Sequence, residues 1–126
     1  MGYAIVDPDD VEPLPDRPSE ARPICGVTSE EHPFEHLGVR TYLAEPGEQL
    51  PSVYHYNENQ EEAFYVLSGT LNVETPEEIY EVDAGKFFLV DAGHPHRAFN
   101  PEDAAEAVHV LAMGAPTDDR GIPYEP

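Results

Sequence analysis

From Leu37 to Met113 the chain never runs far without a turn signal, and no stretch long enough for a helix of several turns repeats its apolar residues every 3.6 positions. Leu37–Glu45 stops at Pro46-Gly47 and Glu62–Leu67 at Ser68-Gly69. Thr70–Thr75 precedes Pro76, and Glu78–Asp83 stops at Ala84-Gly85. Lys86–Asp91 stops at Ala92-Gly93, His96–Asn100 at Pro101, and Ala105–Met113 at Gly114. Short runs rich in Val, Tyr, Phe and Thr, punctuated by Gly and Pro about every 8–12 residues, predict an all-β sandwich or barrel. Glu102–Ala105 is the one place with some helical character.

Ser68-Gly69 predicts a tight hairpin turn, with Leu67 opposite Thr70, Val66 opposite Leu71 and Phe64 opposite Val73. Side chains alternate along a strand. One face then carries Glu62, Phe64, Val66, Leu71 and Val73, and the other carries Ala63, Tyr65, Thr70, Asn72 and Glu74. The first set is the apolar one, so it faces inward and takes Glu62 with it. An interior carboxylate is costly unless it is paired or bound to a cation. His55 and Asn57, two positions apart, share a face if extended. His96, Ala98 and Asn100 share another, with Arg97 and Phe99 opposite.

His55, His96 and Glu62 make two imidazoles and a carboxylate, a donor set for a single Fe, Mn, Ni, Co or Zn ion. No cysteine lies near them, which argues against a structural zinc cluster. The other candidates have plainer readings. His94 sits in a loop beside Pro95, and His32 and His36 precede the first strong strand and read as surface. His109, in Val108-His109-Val110, reads as a hydrogen-bonded strand residue or a pocket wall. Tyr54, Tyr56 and Tyr65 read as packing residues. The lone Cys25 excludes an intramolecular disulfide and reads as inert.

Two segments, Gly47 to Gly69 and Gly85 to Asn100, resemble the paired signature motifs of the cupin family. In the first, His55, Glu62 and Gly69 match, with four residues between Asn57 and Glu62 and six between Glu62 and Gly69. In the second, Gly85, Gly93, His96 and Asn100 fall in register. Three departures stand out. Asn57 replaces the second His of His-x-His, seven residues rather than five separate Gly47 from His55, and Asp91 replaces a Pro. Counted from Gly47, Val53 and His55 would take the His-x-His positions. Counted back from Glu62, His55 and Asn57 do, and the spacing from Glu62 to Gly69 favours the second count.

The resemblance implies a cupin-type jelly-roll β-barrel of two antiparallel sheets. It also implies a divalent metal held inside by His55, Asn57, Glu62 and His96, with Asn57 the weakest donor. A small-molecule ligand and a homodimer, with N-terminal arms that could exchange, follow from the same likeness. Similar proteins carry dioxygenase-like and sugar-isomerase-like chemistry, so a metal-dependent enzyme is one expectation. A non-catalytic, metal-free binding module, with Asn57 marking decay of the site, is the other.

Residues 1–30 hold Pro8, Pro13, Pro15, Pro18 and Pro23, and predict an extended arm outside a barrel at residues 31–115. Residues 116–126 predict an irregular tail. The net charge is −20, with 26 acidic residues against six Lys and Arg spread along the whole chain. Such a charge repels itself and is tolerated where salt screens it, which predicts a cytoplasmic protein of a high-salt cell. No basic patch exists to meet nucleic acid or an anionic membrane. The first residues are too short and too weakly apolar for a signal peptide.

Overall fold

The computed structural model describes residues 2–51 and 53–126; the first residue of the expected arm, Met1, lies outside them. The strands are β1 (Glu20–Cys25), β2 (Gly38–Ala44), β3 (His55–Tyr56), β4 (Glu61–Ser68), β5 (Thr70–Glu74), β6 (Ile79–Asp83), β7 (Phe87–Val90), β8 (Arg97–Phe99), β9 (Val108–Ala115) and β10 (Ile122–Pro123). All pairings are antiparallel. A five-stranded sheet runs β1-β2-β9-β4-β7 and a three-stranded sheet runs β6-β5-β8, with β10-β3 as a short third pair. Backbone bridges from Gln49 to Phe99 and from His55 to His96 attach the β3 segment to the edge of the smaller sheet. Among the described residues the only helical turn is Pro8–Asp10, and no helix is long and apolar enough to cross a membrane.

The core lies between the two sheets. Phe64 and Val66 of β4, Leu71 and Val73 of β5, Val82, Val90, Ala98, Val108 and Val110 fill it. The inward set expected from alternation is therefore the buried set. The hairpin is not: β4 pairs with β7 and β9, and β5 with β6 and β8. Gly69 is a corner where the chain leaves one sheet for the other. Its φ is +78°, and a Cβ there would lie 2.5 Å from the carbonyl oxygen of Ala107. The corner swaps faces as a two-residue turn would, so Glu62 still points inward although its expected neighbours are wrong.

The expected arm also behaves differently. Glu20–Cys25 is an edge strand of the large sheet, bulged between Pro23 and Cys25. Pro23 is accommodated because only one side of β1 needs to donate to a ladder. Upstream, the amide of Leu14 donates to the Ala21 carbonyl at 2.8 Å, and Arg22 donates to the carbonyls of Pro8 and Val11. These residues lie on their own chain's sheet, so the expected boundary at residue 31 falls inside the barrel. The tail likewise contains β10, which pairs with β3.

Candidate metal centre

Three elements converge at one end of the barrel. His55 stands on β3, Glu62 on the inner face of β4, and His96 at the entry to β8. The backbones of His55 and His96 exchange two hydrogen bonds, of 3.1 and 2.9 Å, which sets their rings 4.6 Å apart at 51°. Val53, the alternative to Asn57 as partner of His55, is 56% exposed, while Asn57 is buried and lines the same cavity as the triad.

Both imidazoles are aimed the same way. His55 Nδ1 lies 2.7 Å from the Val53 carbonyl and His96 Nδ1 lies 3.0 Å from the His94 carbonyl. A carbonyl can only accept, so each Nδ1 is the donor and each neutral ring keeps its Nε2 lone pair for the cavity. One nitrogen, carboxylate oxygen or equivalent atom from each of His55, Glu62 and His96 falls within 4.8 Å of the others. Three donors on one ion at about 2.1 Å each stand about 3.0–3.6 Å from one another. Closing the set therefore needs side-chain movement of up to about 1–2 Å.

His96 Nε2 stands 3.4 Å from Glu62 Oε1, an ion pair only when the ring is protonated, and without hydrogen-bond geometry. Three buried side-chain atoms then have no hydrogen-bond partner: Asn57 Oδ1, Glu62 Oε1 and His96 Nε2. Leaving such atoms unsatisfied costs about 1–3 kcal/mol each. Burial, followed by the neighbouring His96, pushes the His55 pKa down. Burial opposes charge on His96 too, but the Glu62 carboxylate outweighs it and the pKa is raised.

The C-terminal segment closes one side of the cavity. Thr117 to Gly121 line it together with Gln60 and the triad. Gly121 packs on the His55 ring so closely that a Cβ would lie 2.7 Å from Cδ2. The Asn57 amide donates to the Asp119 carbonyl at 3.2 Å. Asp119 Oδ2 accepts from the amides of Asn59 and Gln60 at 2.9 and 2.8 Å, and these bonds hold its carboxyl below the usual aspartate range. With the folded pKa depressed, this clamp's contribution is present above the ordinary aspartate pKa. It is lost as pH falls through the lowered value. Asp119→Ala is expected to lower amide-exchange protection at Asn59 and Gln60 at neutral pH. Unchanged protection would show that the carboxylate does not hold the segment.

The remaining candidates stand apart from the triad. His94 is exposed, with its Nδ1 on the Ala92 carbonyl at 3.0 Å. His109 alternates with the buried Val108 and Val110 and so faces away from the cavity. Arg97 pairs with Glu74 at 2.9 Å and covers the Phe99 ring. Cys25 is buried and free, and burial pushes its thiol pKa up, away from reactivity. Arg40 and the closing segment went unnoticed in the sequence. Both faces of β2 carry apolar residues, so alternation does not single out Arg40, and Thr117 to Gly121 look like an ordinary polar tail.

Residues 41–113 match the Cupin domain family, more than half of the chain. The chain belongs to the cupin family. Among solved structures, the polyketide cyclase RemF from Streptomyces resistomycificus is 17% identical with a TM-score of 0.75, over 98% of this chain and 87% of that one. A cupin-superfamily sugar phosphate isomerase from Silicibacter pomeroyi is 22% identical with a TM-score of 0.72, over 90% and 76%. A predicted oxalate decarboxylase from Thermotoga maritima is 17% identical with a TM-score of 0.71, over 89% and 98%. At these identities the likeness concerns the fold. No curated protein matches the chain.

Proposed function

We propose that this cupin holds one divalent metal ion on His55, Glu62 and His96, with Asn57 Oδ1 as an additional oxygen donor, and acts on a small polar molecule in the barrel. The observation that carries the reading is the set of buried atoms without hydrogen-bond partners at Asn57, Glu62 and His96. A cation among them satisfies all three, and the mixed nitrogen and oxygen set suits Fe, Mn, Ni, Co or Zn. A bound metal of this kind supplies Lewis-acid polarisation of a ligand oxygen or, as iron, oxygen activation. The donor set serves dioxygenase-like and sugar-isomerase-like chemistry alike. The chain's own part is to hold both rings in the Nδ1–H form, to keep Glu62 inside, and to screen the site with residues 117–121.

A second reading, a metal-free binding module, is favoured by one observation. Asn57 stands in place of an imidazole, and its amide nitrogen is engaged by Asp119. Elemental analysis of protein purified in molar salt without added metal separates the two. The first reading expects about one equivalent of transition metal per chain, and the second expects none.

The charge of −20 supports a cytoplasmic setting in a high-salt cell, and it disfavours nucleic acid and anionic membranes as partners. A homodimer is supported by Phe87 and Leu89, 58% and 73% exposed on edge strand β7. Light scattering in high salt should then give twice the chain mass; monomer alone would remove that part of the reading.

A further inference from the structure

Six cationic side chains serve this strongly acidic chain, and one is placed unlike the rest. Arg22 and Arg97 pair with Glu20 and Glu74. Arg40, on the inner face of β2, is half-buried, lines the cavity of the triad and, among the described residues, pairs with no carboxylate. Its partners are neutral hydroxyls. Nε and Nη2 donate to Thr28 Oγ1 at 3.3 and 3.1 Å, and Nη1 donates to Tyr42 Oη at 3.3 Å.

A guanidinium carries five N–H donors, so two neutral oxygens leave donors to spare and the charge uncompensated. Burial pushes the Tyr42 pKa up, which keeps its hydroxyl protonated. The Tyr42 and Thr28 oxygens accept from Arg40, so their hydrogens are left to donate. Partial burial of a cation without an anion is costly.

The register places this group at a useful distance from the triad. Arg40 and Gly38 of β2 pair with Ala112 and Gly114 of β9, which pair in turn with Phe64 and Glu62 of β4. At this level β9 turns only the small Ala112 and Gly114 inward, beyond the core residues Val108 and Val110, so the two sides stand roughly 9–10 Å apart from backbone to backbone. The cavity between them is about 370 Å³. At its rim the exposed Arg120 and Asp118 carry opposite charges, and Asp119 is turned to the amides of Asn59 and Gln60. Arg40 and Glu62 are therefore the formal charges that define the interior.

We propose that Arg40, Thr28 and Tyr42 form an oxyanion subsite, and that the natural ligand is a small anion. It sets a carboxylate or phosphate on Arg40 and presents an oxygen donor to the His55–Glu62–His96 centre. This rests on the metal reading of the triad. Arg40 is the specificity-determining residue, because its fork can grip two oxygens of one anionic group.

The test uses matched probes on Zn-loaded protein, with affinities measured by calorimetry at fixed ionic strength. All three probes bind a metal through a hydroxamate: acetohydroxamate has a neutral methyl tail, succinic monohydroxamate adds a carboxylate and phosphonoacetohydroxamate a phosphonate. At least one charged probe should bind about 10-fold or more tighter than the neutral one, and which one does so distinguishes carboxylate from phosphate. Arg40→Gln should abolish that gain while leaving zinc content and acetohydroxamate affinity unchanged. Arg40→Lys, which keeps the charge without the fork, should keep only part of it. Equal binding of neutral and charged probes by the parent protein, or a gain that survives Arg40→Gln, would overturn the subsite with the metal reading intact. Failure to take up zinc at the triad would overturn both.

Discussion

His96→Ala is expected to strip the protein of metal, weakening affinity more than about 100-fold. Loss of an orienting partner alone typically costs 10–100-fold, and here a ligand itself is removed. His96 is 2% exposed, its Nδ1 is held by the His94 carbonyl, and its Nε2 has no other partner. Removing it leaves His55, Glu62 and the weaker Asn57 amide oxygen, and takes away the ring nitrogen 3.4 Å from the Glu62 carboxylate. The variant should fold, because the hydrophobic core lies further along the barrel around Leu71, Val73 and Val110. Metal per chain, measured beside circular dichroism, reads the two effects separately. His94→Ala is the matched control. That ring is exposed and bonds only to the Ala92 carbonyl, so metal content should not change. Equal metal in parent and His96→Ala protein would remove His96 from the centre.

Gly69→Ala carries the largest expected loss of stability, about 2–4 kcal/mol. Part of this is the positive φ of +78°, which costs a non-glycine residue about 1 kcal/mol. The rest is steric. The new methyl would sit 2.5 Å from the Ala107 carbonyl oxygen and 3.0 Å from Val108 Cα, backbone atoms at the entry to β9, the strand that pairs with β4. Neither can move without disturbing the β4–β9 register that carries Glu62. Gly85→Ala separates the two contributions. Its φ is +86° but nothing lies within 4 Å of the added atom, so the loss should be only about 1 kcal/mol. Thermal melts should show Gly69→Ala lower by roughly 10 °C and Gly85→Ala by only a few degrees. Similar drops in both would show that the corner at Gly69 is not crowded.

The contrast between these glycines also shows what sequence can reveal here. A hairpin turn and a sheet-to-sheet corner both call for a residue with positive φ, so Ser68-Gly69 looks the same in either role. The difference is made by backbone at Lys86 and Ala107, far away along the chain. Alternation, a local property, survived that ambiguity and turned Glu62 inward. It placed His96, Ala98 and Asn100 on a buried face for the same reason. It gave no help with Arg40, because Val39, Thr41 and Leu43 on the opposite face of β2 are at least as apolar as Arg40, Tyr42 and Ala44. Proline density concealed β1, since Pro23 excludes a central strand but not an edge strand. The closing segment was out of reach because its anchors are long-range: Asp119 finds Asn59, 60 residues back along the chain.

On the reading proposed above, His55, Glu62 and His96 form one metal centre with Asn57 beside it. Anomalous scattering from crystals grown without added chelator, collected above and below the metal absorption edges, addresses it directly. A single strong peak is expected within bonding distance of His55 Nε2, His96 Nε2 and a Glu62 oxygen. No peak at that position, or one at the exposed carboxylates instead, would contradict it.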